Sequence, residues 1–374
     1  MGLGRKIAGA TLLLLAVGAV GLAYAMSFNR ACPAPALAAG TGGPDAMRAV
    51  VHRCYGSPEV LELASLPRPE PAANEVLVKV RAAGVNPLDW HYMLGSPYVM
   101  RLMSGIGRPS QERLGVDFAG TVEAVGSAVT RFQPGDAVFG GRGGAFADYL
   151  TIAEDKVIAH KPPNIGYAEA ASVPVAAVTA LQAVRDKGRV TAGQKVLVNG
   201  ASGGVGTFAV QIARHLGAEV TGVSSARNHA MVRELGAAHM IDYRQEDYTE
   251  SAERYDVIID NVGNHGLLAN HGALKNGGIL VMVGGPKGNW FAPLKNVILA
   301  PLLSPFVSTE FASLLARLNA ADLDYLAGLM AQGDINPVID REFSLEAVAD
   351  AIRYSESGRA RGKIVISMRG TAVK

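Results

Sequence analysis

The residues Lys195–Gly206, KVLVNGASGGVG, carry the clearest chemistry in this chain. Apolar and β-branched residues run into a glycine-rich turn, and a helix-like segment, TFAVQIARHLG, follows at once. Dinucleotide binding needs that order of strand, turn and helix. The turn must be tight, the backbone must come close to the pyrophosphate, and the helix must aim its free N–H groups at the phosphates. Ala201, Gly203 and Gly206 take the spacing AxGxxG, with Gly204 and Val205 between the two glycines. Surface loops carry such glycines too; the strand before and the helix after are what point to a nucleotide.

Cofactor choice should be written about 20 residues farther on, where an NAD site places a carboxylate on the adenosine ribose. This chain offers Ser224, Ser225 and Arg227 instead. Two hydroxyls and a guanidinium suit a 2′-phosphate, and therefore NADPH. The alternative is an ordinary polar loop with a solvated arginine. Asn261 and Val262 end a later strand-like run, and Val283 and Gly284 end the next, where the nicotinamide half should lie. Gly284 could equally serve only a turn.

Composition narrows the rest. A chain of 374 residues can hold two domains and an extra segment, and 49% hydrophobic against 18% charged residues describes a globular or partly membrane-associated protein. A net charge of +2 gives no footprint for nucleic acid. Two cysteines, Cys32 and Cys54, provide neither a disulfide framework nor a cysteine zinc cluster, and the eight histidines do not converge in spacing. No metal is expected.

The elements that must position these residues follow in order. Arg5 and Lys6 precede Ile7–Met26, an uncharged run whose length as a helix, about 30 Å, matches a bilayer core. Residues 1–30 therefore read as a transmembrane anchor, or as a signal peptide cleaved near Ala23-Tyr24-Ala25. The two positive charges place the N-terminus in the cytoplasm and the catalytic part outside; the supply of a nicotinamide cofactor places it in the cytoplasm, and that side is preferred. Residues 31–46, rich in Pro, Ala and Gly, read as a linker. Short strand-like runs with turn signals fill 47–167, strands alternate with helices over 168–309, and 310–374 holds two helical patterns and a last strand, KIVIS. The apolar segment 290–307 reads first as a buried strand, NVILA. Pocket lining, a homodimer contact or a membrane contact are the other readings.

Five motifs in order, AAGVNPLDW, GVDFAGTVEAVG, FQPGDAVFG, NGASGGVG and GKIVIS, resemble the medium-chain dehydrogenase/reductase superfamily in its zinc-free, quinone-oxidoreductase-like branch. The resemblance covers about residues 47–368. It implies an α/β fold in which a GroES-like, β-rich catalytic domain is interrupted by a Rossmann domain, a doubly wound parallel sheet, and completed by the C-terminal tail. Where zinc alcohol dehydrogenases carry a metal-binding cysteine and a Gly-His-Glu, this chain has Val85-Asn86-Pro87 and Gly115-Val116-Asp117. By the same resemblance Asn86 and Asp89 lie beside the nicotinamide, with Tyr92 within reach of that pocket. Tyr243 matches a position near the adenosine 2′-phosphate, and Lys363 the part that closes over the cofactor. Asn86 could instead cap the turn before Pro87, Tyr243 could simply pack, and Lys363 could be solvated. The implied activity is NADPH-dependent hydride transfer to a quinone or to the C=C bond of an α,β-unsaturated carbonyl. The rival is a non-catalytic, membrane-tethered NADPH-binding sensor or scaffold.

Overall fold

In the computed structural model, which describes residues 17–18, 20–33, 45–286, 288–290 and 292–368, the run EVLVKVRAAGV forms one long strand, Glu75–Val85, at the centre of the catalytic half. Its valines at 76, 78 and 80 alternate onto one core with Phe118, Phe146, Leu150 and Ile366. Asp117–Val125 pairs with it along its length, Tyr149–Ala153 with its first half, and Lys363–Ser367 with its last residues, all antiparallel. The tail thus completes the sheet begun by the N-terminal part. Register fixes the chemistry: Ile364 faces Val85 and Asp117 faces Gly84, which brings Lys363, Asn86 and Asp117 to one end of three adjacent strands.

The second half is a six-stranded parallel sheet. In spatial order its strands are His239–Asp242, Glu219–Ser224, Lys195–Asn199, Tyr255–Asp260, Leu274–Met282 and Glu310–Ser313. The chain starts in the middle, winds outward one way and then the other. The crevice between Lys195–Asn199 and Tyr255–Asp260 is the reversal point at which open α/β sheets bind ligands.

Two expectations change here. The sheet does not stop at residue 309: Glu310–Ser313 is its sixth strand, and the helix Ala320–Gln332 buries Leu323, Leu326 and Met330 in the same core as Val178 and Leu181. NVILA is not a strand but part of the helix Lys295–Leu303. Its apolar residues lack the alternation of a half-buried strand, and Ala300 alone of the helix is buried.

The expected span Ile7–Met26 lies mostly outside the described residues. Among the described residues no helix is long and apolar enough to cross a membrane. Residues 20–27 are helical, and Val20, Leu22 and Tyr24 are exposed. The chain then docks on the catalytic half. Arg101, buried, donates to the carbonyls of Met26 (2.8 Å) and Phe28 (3.1 Å) as well as to Gly95 (2.7 Å), and its guanidinium lies 4.4 Å from the ring centre of Tyr55. Cys32 is disulfide-bonded to Cys54. Reading two cysteines as too few for a disulfide framework overlooked that a single bond can fasten one segment to a folded body.

Candidate active site

The strand Lys195–Asn199 turns through Gly200 into the helix Gly204–His215, whose N-cap is Gly203. A Cβ at Gly206 would lie 2.1 Å from the Gly200 carbonyl, so only glycine lets helix and turn approach this closely. A Cβ at Gly203 would meet only that carbonyl, at 3.4 Å, so its outer side is open. The first N–H groups of the helix, at Gly204, Val205 and Gly206, have no partner within the helix. An open, N–H-lined concavity at a helix start fits a pyrophosphate. Ala201 is fully buried and packs towards Gly222 on the neighbouring strand, which is how alanine fills the first glycine place.

At the end of Glu219–Ser224, Ser224 and Ser225 are buried while Arg227 is exposed, its Nη2 donating to the Arg359 carbonyl at 3.3 Å. Asn228, which the sequence did not single out, donates to Oγ of Ser202 (2.9 Å) and has a buried Oδ1 without a partner among the described residues. Tyr243 follows His239–Asp242 and is exposed, with Arg244 beside its ring. The next two strand ends meet closely. Val283 and Gly284 donate their N–H groups to the Asp260 carbonyl, and a Cβ at Gly284 would lie 2.1 Å from the Asn261 carbonyl. The Asp260 carboxylate accepts from Asn199, Val262 and Gly263, and Asn261 has a buried Oδ1 without a partner among the described residues. The nucleotide-side residues thus line the carboxyl ends of adjacent strands.

Asn86 begins the helix Pro87–Leu94 and is almost fully buried. Its Nδ2 donates to Oδ2 of Asp117 at 2.9 Å, and its Oδ1 accepts from Nζ of Lys363 at 2.5 Å. Both ends of the amide are therefore engaged by protein, and Asn86 is the N-cap of this helix, the capping role that was the other reading of it. Lys363 also donates to the Val85 carbonyl (3.1 Å) and stands 3.6 Å from Asp117. It is buried and not solvated, and its stem meets the nucleotide turn, where a Cβ at Gly204 would lie 3.1 Å from its Cδ. The opposite Asp117 oxygen accepts from the Val175 N–H at 3.0 Å, the start of the helix Pro174–Leu181.

Asp89 ties this network to open space. Its Oδ2 accepts from the Asn86 N–H at 2.7 Å, while Oδ1 has no well-aligned partner among the described residues. Burial pushes the Asp89 carboxyl up to about 7 and that of Asp117 up to about 6, against the pull of Lys363, whose own pKa burial lowers. Asp89 lines a cavity of about 330 Å³ together with Leu88, Tyr92, Met103, Val116 and His52. His52 and Arg113, on the same wall, were not foreseen: His52 sits in a strand that reads as structural, and burial lowers its pKa to about 4, leaving it neutral. Burial and the nearby Arg142 lower the pKa of Arg113.

Residues 72–163 match the family model described as alcohol dehydrogenase GroES-like domain, and 235–366 the one described as zinc-binding dehydrogenase. A quinone oxidoreductase of Pseudomonas aeruginosa is 34% identical over 328 residues, covering 83% of this chain and 97% of its own. The chain belongs to the medium-chain dehydrogenase/reductase superfamily, in its quinone-oxidoreductase-like branch. An NADPH-dependent alkenal/one oxidoreductase of Arabidopsis thaliana chloroplasts is 32% identical, over 86% of this chain and 80% of that protein. The solved quinone oxidoreductase of Coxiella burnetii superposes with a TM-score of 0.76 at 32% identity, over 87% of this chain and all of the other. As a member of this branch the chain is an NADPH-dependent oxidoreductase, an enzyme and not a scaffold.

Proposed function

We propose that this enzyme reduces quinones or the C=C bond of α,β-unsaturated carbonyls, and does so without a metal. The observation that carries the reading is Asp89: a buried carboxyl on the cavity wall with one oxygen held by Asn86 and the other without a well-aligned partner among the described residues. NADPH, when bound, supplies a hydride from C4 of its nicotinamide. Asp89, whose carboxyl burial pushes up to about 7 so that it keeps part of its proton at neutral pH, would hand a proton or a hydrogen bond to the acceptor oxygen as negative charge grows there. Tyr92, which lines the same cavity, would supply a second hydroxyl. Asn86, Asp117 and Lys363 are positioning residues that fix Asp89. The turn Gly203–Gly206, preceded by Ala201, would hold the pyrophosphate; Ser224, Ser225, Arg227 and Tyr243 the adenosine end; Asn261, Val262, Val283 and Gly284 the nicotinamide half.

The side chains do not suit zinc, despite the description of one matching family model. Among the described residues no three His, Cys, Asp or Glu side chains converge on a point, both cysteines are joined to each other, and the cation beside Asn86 and Asp117 is the Lys363 ammonium. A site without a Lewis acid suits acceptors whose own conjugation spreads the developing charge. Steady-state NADPH oxidation against quinones, enones and simple ketones tests this; turnover of simple ketones alone would refute it.

The run Ile7–Met26 is proposed as an uncleaved anchor. For orientation, Arg5 and Lys6 and the Cys32–Cys54 disulfide agree, because disulfides persist in oxidising compartments. The catalytic part therefore belongs on the oxidising side, against the side favoured by cofactor supply. Thiol labelling of the full chain without reductant tests it, the expected result being no free thiol.

A further inference from the structure

The turn that forms the mouth of the cavity is apolar and outward-facing. Val99, Leu102, Met103 and Ile106 are 41%, 60%, 87% and 50% exposed within eight residues of chain. Met103 both lines the cavity and is nearly bare, so it stands at the entrance. Soluble surfaces scatter such side chains singly; a cluster rimmed by cations marks a contact.

The same turn receives the end of the N-terminal helix. Arg101, between Met100 and Leu102, is the residue that donates to the Met26 and Phe28 carbonyls. The Arg30 N–H donates to the Gly107 carbonyl at 2.9 Å, and the Arg30 side chain packs on Gly107. Arg30 and Arg108 are exposed beside the apolar residues. The disulfide from Cys32 to Cys54 fastens the segment a second time. An uncharged run of twenty residues therefore ends on the cavity mouth and is fixed there, with no free linker between.

We propose that this face lies on a lipid bilayer, with Leu102, Met103 and Ile106 among the acyl chains and Arg30 and Arg108 at the phosphates, so that the cavity takes its acceptor from the membrane. The substrate class is then a lipid-dissolved quinone or enone with a long apolar tail. The inference rests on reading Ile7–Met26 as an anchor and on the acceptor chemistry above. Geometry supplies the link: an anchor fixed at the mouth holds the mouth at the membrane surface, and exposed arginines beside an apolar patch favour anionic headgroups.

The test uses the full chain reconstituted in phosphatidylcholine and phosphatidylglycerol vesicles. Co-sedimentation of the wild type checks the anchor itself. Leu102→Glu combined with Ile106→Glu should leave kcat/KM for a short, water-soluble quinone within twofold while lowering that for a long-tailed quinone dissolved in the vesicles at least tenfold. Separately, Leu102→Trp should add tryptophan emission that brominated lipid quenches by half or more. Without co-sedimentation, both the anchor and the inference fall. With co-sedimentation but no quenching and an unchanged ratio of the two quinones, the anchor stands and the inference is overturned. A wild type that reduces neither quinone overturns the acceptor chemistry, and the quenching result then decides the lipid contact alone.

Discussion

Nζ of Lys363 lies 2.5 Å from Oδ1 of Asn86, across 277 residues of chain. This contact joins the last strand to the first helix of the catalytic half and holds one cation among two buried carboxyls. Removing one member of such a group leaves charge buried without compensation. Lys363→Met should therefore destabilise the fold by about 3–5 kcal/mol, measured by chemical denaturation. Adding Asp117→Asn should recover part of that loss. An isolated Lys363→Met change near zero would mean that the network carries no charge.

The raised carboxyls also set a pH dependence of stability. Asp89 at about 7 and Asp117 at about 6 stand above their unfolded values, so the folded chain holds more protons than the unfolded one from roughly pH 4 to 7. Their contribution is complete below about pH 4 and is lost as pH rises through 6 and 7, with a slope of up to about 1.4 kcal/mol per pH unit for each group. The lowered Lys363 acts in the opposite sense at higher pH, where deprotonation favours the folded state. Asp89→Asn should remove the Asp89 part of the slope in denaturation curves taken across this window.

Activity should follow the same proton. With Asp89 as donor, kcat falls as pH rises past about 7. Asp89→Asn keeps an acceptor for the Asn86 N–H but has no proton to give, so it should lower kcat about 10²-fold and flatten the profile. A profile that keeps its wild-type shape in this variant removes Asp89 from the reaction.

Cofactor preference gives a fourth measurement. Arg227→Ala should weaken NADPH by about 1.5–3 kcal/mol, the usual worth of a hydrogen bond to a charged group, and leave NADH nearly untouched. Equal losses for the two cofactors in a binding titration would contradict the assignment of Ser224, Ser225 and Arg227.

The disulfide should be measurable in the same way. Cys32→Ser should cost about 2–4 kcal/mol by constraining the unfolded chain less, and reductant should lower the Tm of the wild type but not of the variant. A reductant-insensitive wild type would show that the bond does not form.

What was legible in the sequence has a local physical basis. The glycine turn, the order of strands and helices, and the long strand Glu75–Val85 follow from periodicity and from residues a few positions apart. The buried hydrogen bonds of Asn86 gave no signal because its partners Asp117 and Lys363 are 31 and 277 residues away and become neighbours only through strand register. The sixth strand, Glu310–Ser313, is four residues long and has no β-branched run to announce it. His52 and Arg113 sit at positions whose spacing carries no motif, and only the closing of the cavity makes them neighbours of Asp89. Arg101 gave no signal either, since a lone arginine in an apolar turn reads as solvated until its five donors find carbonyls and rings.

The central claim is that hydride passes from NADPH to a conjugated acceptor while the protein supplies the proton. The most direct measurement is turnover of an enone with NADPH deuterated at the transferable C4 position, in ordinary water. One deuterium should appear at the β-carbon of the product and one solvent proton at the α-carbon, with no metal required after chelator treatment. A product without deuterium at the β-carbon, alongside efficient reversible oxidation of simple alcohols, would contradict the account.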